Sequence, residues 1–369
     1  MKPLVIILIL VVVGFLVLIL IPLIGGFLAV PNEAHGLARE DMKNFATDNT
    51  ESTEENLRDS MLFQKRSAKL PEILRPFHLV VDGNRLYIAE KSAIYLYSTE
   101  DFKFIKKFGK LGEGPGEWKL FTKLSVFPRY VVVNALDRLV FFTREGEFIK
   151  NIKIPLNPVH YVYAYPIGNN FVGFGNDYRS NIHYSTILLF NTDMKVIKEM
   201  ARQKSKSRWT ADKKYHAVGP PTFFNVMVYG ENIYLANSEK GFFIEVFDAM
   251  GNKLHEINKD YEKIKVTAEY KKDFIKTVSY KEDPGLYQYS FDEYFPAFKR
   301  VSINSGKIYV CTYKILNKKR ELIVMDLKGK VLKNSSVKID TMSYIYNDRI
   351  YYLEENEEED WIIYEEAIN

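Results

Sequence analysis

Three histidines, His78, His160 and His216, have the residue type for a metal centre. Converging on one point, three imidazoles would hold zinc and leave a fourth position for water. Two carboxylates, Glu113 and Glu117, flank Gly114, Pro115 and Gly116. Glycine and proline keep this backbone close and bent. The glutamates therefore either point at a ligand or cation, or cap the N–H groups of a tight crossing. The run is not a phosphate loop, because the Lys and the helix of that motif are missing. A third group is basic: Arg202, Lys204, Lys206, Arg208, Lys213 and Lys214 against Asp212 give +5 over 201–214. Trp209, Tyr215 and His216 are interleaved with them. Cations beside aromatic rings grip polyanions or sugars; the plain alternative is a solvated loop. The stretch 354–366 carries eight acidic residues and no Lys or Arg. Calcium would need a glycine-turned frame there, so it reads as a solvated loop. No Ser/His/Asp spacing or nucleophile elbow is present.

Composition narrows these options. One cysteine in 369 residues, Cys311, excludes an internal disulfide and any CxxC site. A formal charge of +4 is too small to argue for nucleic acid. Tyr and Phe stand at 25 each, which leans toward strands.

The elements that must position these groups form a repeat. Apolar runs pair across short turns at 77–81 and 86–89, 124–126 and 130–133, 161–165 and 171–174, 225–229 and 233–236, 300–303 and 308–311, and 342–346 and 350–353. Gly, Asn and Asp in most of these turns suit tight hairpins. A second hairpin follows each of the first five, at 94–105, 139–149, 187–197, 243–254 and 322–332. Four strands, A to D, repeated around a ring are the blades of a β-propeller. Residues 70–369 give 50 positions for each of six blades, with the surplus in insertions at 201–221 and 259–292. The sequence thus predicts an all-β, six-bladed propeller of four-stranded blades. After strand C of blade six, Trp361–Tyr364, the chain has no room for a strand D. The segment 67–74 is expected to supply it and close the ring, since an open edge is sticky.

The run Gly109-Lys110-Leu111-Gly112-Glu113-Gly114-Pro115-Gly116-Glu117-Trp118 resembles a bacterial family of six-bladed, NHL-like propellers, over about residues 66–369. The resemblance implies the fold and little chemistry. Such proteins usually carry a signal peptide or lipoprotein signal, so an uncleaved anchor departs from the pattern.

Leu4 to Val30 contains no charged residue, a run of 27. About 20 apolar residues span a bilayer, and a cleaved signal's apolar core is about 7–15. Residues 1–30 are expected to be a transmembrane anchor, with a cleaved signal as the alternative, 31–65 a polar tether and 66–369 the propeller. Export of the domain places it on the periplasmic or extracellular side.

In a propeller the D–A and B–C loops share the top face, where the long segments lie. Function-bearing loops are disproportionately of this kind. The candidate site is therefore the top face, with His78, Glu113, Glu117, Asn134, His160, Asp177, Arg179, Arg208 and Trp209. In the second insertion, Thr267 should cap a helix bearing Tyr270, Phe274, Ile275 and Val278 on one face, packed over the rim. The expected function is non-catalytic binding of a protein, peptide or glycan, without metal, cofactor or nucleic acid. The alternative is a metal-dependent lyase or lactonase at the channel mouth.

Overall fold

The computed structural model describes residues 65–154, 160–177, 183–210, 212, 214–278, 284–338 and 342–368. The apolar run 4–30, the tether up to residue 64, and Arg179 lie outside the described residues. Among the described residues no helix is long and apolar enough to cross a membrane. Residues Ser67–Asn369 form one unit.

Among the described residues there are six four-stranded antiparallel sheets, each one blade. Blade one runs His78–Asp82, Arg85–Glu90, Ala93–Ser98 and Phe104–Phe108 as strands A to D. The A strands of the next four blades are Phe121–Val126, His160–Ile167, Phe224–Tyr229 and Arg300–Asn304. Blade six has Ser343–Tyr346, Arg349–Glu355 and Trp361–Ala367 as A, B and C, with Arg66–Lys69 as its outer strand. The ring is therefore closed by the N-terminal strand, which is shorter than the expected 67–74. Beyond it, the Leu70 N–H donates to Trp361 O at 2.8 Å. The Trp361 indole donates to Leu74 O at 3.0 Å. The Glu90 carboxylate accepts from the N–H groups of Leu74 at 2.6 Å and Arg75 at 2.8 Å. That buried acid fixes the crossing from blade six to blade one.

The core is divided. Six apolar clusters each fill the wedge between two consecutive blades, including the wedge between blades six and one. Strands B and C are covered on both faces, which explains their continuous apolar runs: 86–90 and 93–97 are wholly buried. The D strands face outward. Blade two's D strand, Phe148–Lys153, is almost entirely exposed, and its Lys150 and Lys153 discourage edge pairing.

A repeated device sets the C–D turns. Ser98, Thr143, Asn191, Asp248 and Asp326 follow the same strand in blades one to five, and each side-chain oxygen accepts from turn N–H groups. These short polar side chains mimic a backbone turn. In three of these turns the next glycine touches the preceding blade: a Cβ on Gly251 would meet Leu189 at 3.3 Å, and the other two are tighter. A Cβ on Gly146 would meet Phe108 at 2.5 Å, and one on Gly329 would meet Ile257 at 2.6 Å.

The two insertions combine. Arg208–Trp209 pairs with Tyr215–Gly219, which pairs in parallel with Tyr287–Phe291 from the second insertion. The helix Ala268–Val278 lies against this sheet, with the Phe274 ring 5.5 Å from that of Phe291. Thr267 Oγ1 accepts from Tyr270 N at 3.1 Å, the expected cap. Tyr270 packs on Phe295, which stacks on Tyr313 of blade five at 4.4 Å. The pair of insertions thus forms a small layer seated on the propeller.

Candidate functional site

The A strands surround the central channel, and period-2 alternation sends their side chains into the wedges on either side of each blade, Leu79 and Val81 to one side and Val80 to the other. A few long polar side chains on these strands reach past the wedges toward the ring's centre, where groups of blades two and five feel each other. His78 begins strand A of blade one, Lys123 lies in strand A of blade two, and Arg300 begins strand A of blade five. All three are partly buried. Tyr163 and Tyr165 of blade three, Asn225 of blade four and Tyr344 of blade six complete the group. Residues from six blades meet there.

The local contacts are specific. The Lys123 ammonium sits 4.1 Å from the Tyr163 ring centre and 5.1 Å from that of Tyr165. Arg300 reaches toward blade six, donating from Nη2 to Ser343 O at 2.9 Å and from Nη1 to Ser343 Oγ at 3.4 Å. The Tyr163 hydroxyl donates to Asn225 Oδ1. His78 Nδ1 is buried without a hydrogen-bond partner.

The electrostatics follow from burial and like charge. Burial, then Lys123 and Arg300, lower the His78 pKa to about 3. Burial, reinforced by Arg300, lowers Lys123 to about 7. Arg300 is lowered from its usual value mainly by burial. Burial raises Tyr163, Tyr165 and Tyr344, so their hydroxyls stay protonated donors. No carboxylate among the described residues pairs with Lys123 or Arg300. A cluster of this kind attracts negative charge and repels a divalent cation. Among the described residues no group of three or more His, Cys, Asp or Glu is arranged to hold a metal ion.

Of the residues singled out from sequence, His78 lies in this channel. Glu117 accepts from Gly114 N at 2.8 Å and pairs with Lys110 at 3.0 Å. These contacts, the N–H bond first, hold its carboxyl below the usual range. A Cβ on Gly112 would collide with Glu117 Oε2 at 2.0 Å, so the glycine makes room for that cap. Glu113 pairs with Lys119 at 2.7 Å, and its carbonyl accepts from Arg138. The neighbouring Trp118 is fully buried and donates to Lys91 O. The GEGPGE run therefore builds the crossing from blade one to blade two.

Asn134 is fully buried, and its Oδ1 accepts from Ala164 N at 2.6 Å, tying blade two to blade three. Asp177 is buried beside Arg202, at 3.3 Å. Arg208 is exposed in the added sheet. Lys206 of the same basic run pairs with Asp292 at 2.7 Å, so part of that run's charge is spent holding the insertions together. His160 and Trp209 have strand backbones, and their side chains lie outside the described residues. In the acidic C-terminal stretch Glu354 pairs with Lys338 and Asp360 with Lys69.

Lys123 and Arg300 escaped the sequence reading. A lone basic residue in an alternating strand reads as solvent-facing, whereas in an A strand both faces meet neighbouring blades. Superposing the six A strands by register would have flagged them.

No protein-family model matches the chain, and no curated protein resembles it in sequence. Among solved structures it is similar to the Myceliophteria thermophila Cps50 (Swd1) β-propeller domain, at 8% identity, covering 81% of this chain and 99% of that one, with a TM-score of 0.39. It is similar to the Neurospora crassa Pan2 WD40 domain at 8% identity, covering 81% and 94%, with a TM-score of 0.38. A Bacteroides caccae protein of unknown function is similar at 10% identity, covering 73% and 82%, with a TM-score of 0.36.

Proposed function

We propose that this chain is a membrane-tethered, extracytoplasmic propeller that captures a protein, peptide or glycan at the top mouth of its channel, without catalysis. The observation that carries the reading is the convergence of His78, Lys123, Tyr163, Tyr165, Arg300 and Tyr344 from different blades. Ligand sites favour such concave places, where a few polar groups meet on a rigid frame. The GEGPGE run supports kinship with the NHL-like bacterial propellers. The uncharged run Leu4–Val30 supports the tether. A lyase or lactonase dependent on a divalent metal is less well supported, because the described channel groups offer one histidine beside two basic residues and phenols.

Arrays of peptides and glycans probed with detergent-solubilised full-length protein test capture. Binding lost in Lys123→Ala and kept in the exposed bottom-turn variant Lys328→Ala is the expected result. Ligands held equally by both variants would move the site elsewhere. A reporter fused after Asn369 should behave as exported and sediment with membranes. A soluble mature chain starting near residue 30 would contradict the tether.

A further inference from the structure

We propose that the channel cluster of His78, Lys123 and Arg300 is a receptor for a single carboxylate group on the captured ligand. This deepens the reading of the channel mouth as the capture site and rests on it. Two basic groups from blades two and five, Lys123 and Arg300, without a paired acid leave a local charge that the fold itself does not neutralise. Their positions also cost stability, since partly buried charges are unfavourable unless paired. An anion from outside removes that cost, and an exposed ion pair would gain far less.

Charge counting bears on the class of anion. His78 is neutral near pH 7, Lys123 is close to half protonated, and Arg300 carries a full charge. The cluster therefore offers at most two positive charges, from Lys123 and Arg300, which is ample for a monoanion. The geometry agrees. Two Arg300 nitrogens already donate to Ser343, so what remains is a planar edge rather than an all-round cage. A planar edge suits a planar carboxylate. Tyr344 and Tyr165 keep their phenolic protons and can donate to the same group.

Two pairs of probes separate the source of the carboxylate: glucuronate against glucuronamide, and a tripeptide with a free C-terminus against its amide. Each is titrated calorimetrically into full-length protein in detergent at pH 6.5, with inorganic phosphate as a third arm. At least one acid should bind about tenfold or more tightly than its amide, and the pair that does so identifies the source. Arg300→Gln should weaken that acid about tenfold, and Arg300→Lys, which keeps charge but not the fork, by less. Affinity should also fall between pH 6 and pH 9 as Lys123 loses its proton, a readout that does not depend on any variant folding. Acid and amide binding equally would overturn the carboxylate site while leaving capture intact. Phosphate binding more tightly than either acid would overturn the choice of a carboxylate. Silence from every probe would overturn this inference, and the array experiment would then judge capture by itself.

Discussion

The Lys123 ammonium rests against the face of Tyr163, 4.1 Å from the ring centre, with no acidic partner among the described residues. A cation over an aromatic ring keeps part of the electrostatic stabilisation it would find with a carboxylate. It does not neutralise the charge. Lys123 therefore remains open to an anion, and the fold bears the cost of holding it there.

That cost has a pH signature. The unfolded chain keeps the Lys123 proton until pH passes about 10.5, whereas the folded chain releases it near 7. Between those values the unfolded state binds more protons, so stability should rise with pH. Arg300 and His78 face Lys123 from blades five and one, Tyr163 and Tyr165 from blade three, and Tyr344 adjoins Arg300 from blade six. Of these, His78 adds a rise with pH between about 3 and 6.5, by the same sign argument. Lys123→Met should stabilise the protein, by about 1–3 kcal/mol. The gain should be full below pH 7 and shrink toward pH 10. Denaturant titrations at pH 6 and pH 9 check this, and a gain that grows with pH would reverse the assignment.

The wedge contacts between blades make a second prediction. Gly329 has φ +88°, and a Cβ there would meet Ile257 at 2.6 Å. Gly329→Ala should cost about 2–4 kcal/mol, combining left-handed strain with overpacking. Gly230 has φ +60° and nothing within 4 Å of its would-be Cβ. Gly230→Ala should cost only the strain, about 1–2 kcal/mol. Equal losses in thermal melts of the two variants would show that the turn glycines do not report blade contact.

Much of this architecture could be read from the chain, because hairpins are local. A turn such as Asp82-Gly83-Asn84 between two apolar runs identifies its own partner strands. The closing strand was also legible, since the segment ahead of blade one has no partner in that blade, and it pairs as Arg66–Lys69 on the edge of blade six. The joining of the insertions was not. Tyr215–Gly219 and Tyr287–Phe291 pair in parallel across a long stretch of chain, with no turn to announce it. The glutamates of GEGPGE read equally well as ligands or caps, and only the contact of Glu117 with Gly114 N shows the cap. Lys123 and Arg300 stayed hidden because sequence alternation marks a face without saying whether solvent or a neighbouring blade lies beyond it.

Ring closure gives a third prediction. Shortening the chain to begin at Pro76 removes Arg66–Lys69 from the edge of blade six, together with the Leu70 and Leu74 contacts to Trp361. It also leaves the buried Glu90 carboxylate without its two N–H donors. The exposed edge of Trp361–Ala367 should drive self-association. Light scattering and melting of the shortened chain check this; a monomer that melts with the full-length protein would refute the closure.

The most direct test of the channel site is the titration of Lys123 itself. Full-length protein with carbon-13 at the lysine ε positions, assigned by comparison with Lys123→Met, reports its protonation by NMR. The account predicts a midpoint near 7 in the free protein. It also predicts a clear upward shift when the carboxylate probe that binds is added, because a bound anion favours the charged amine. A midpoint close to the ordinary lysine value, unmoved by that probe, would contradict it.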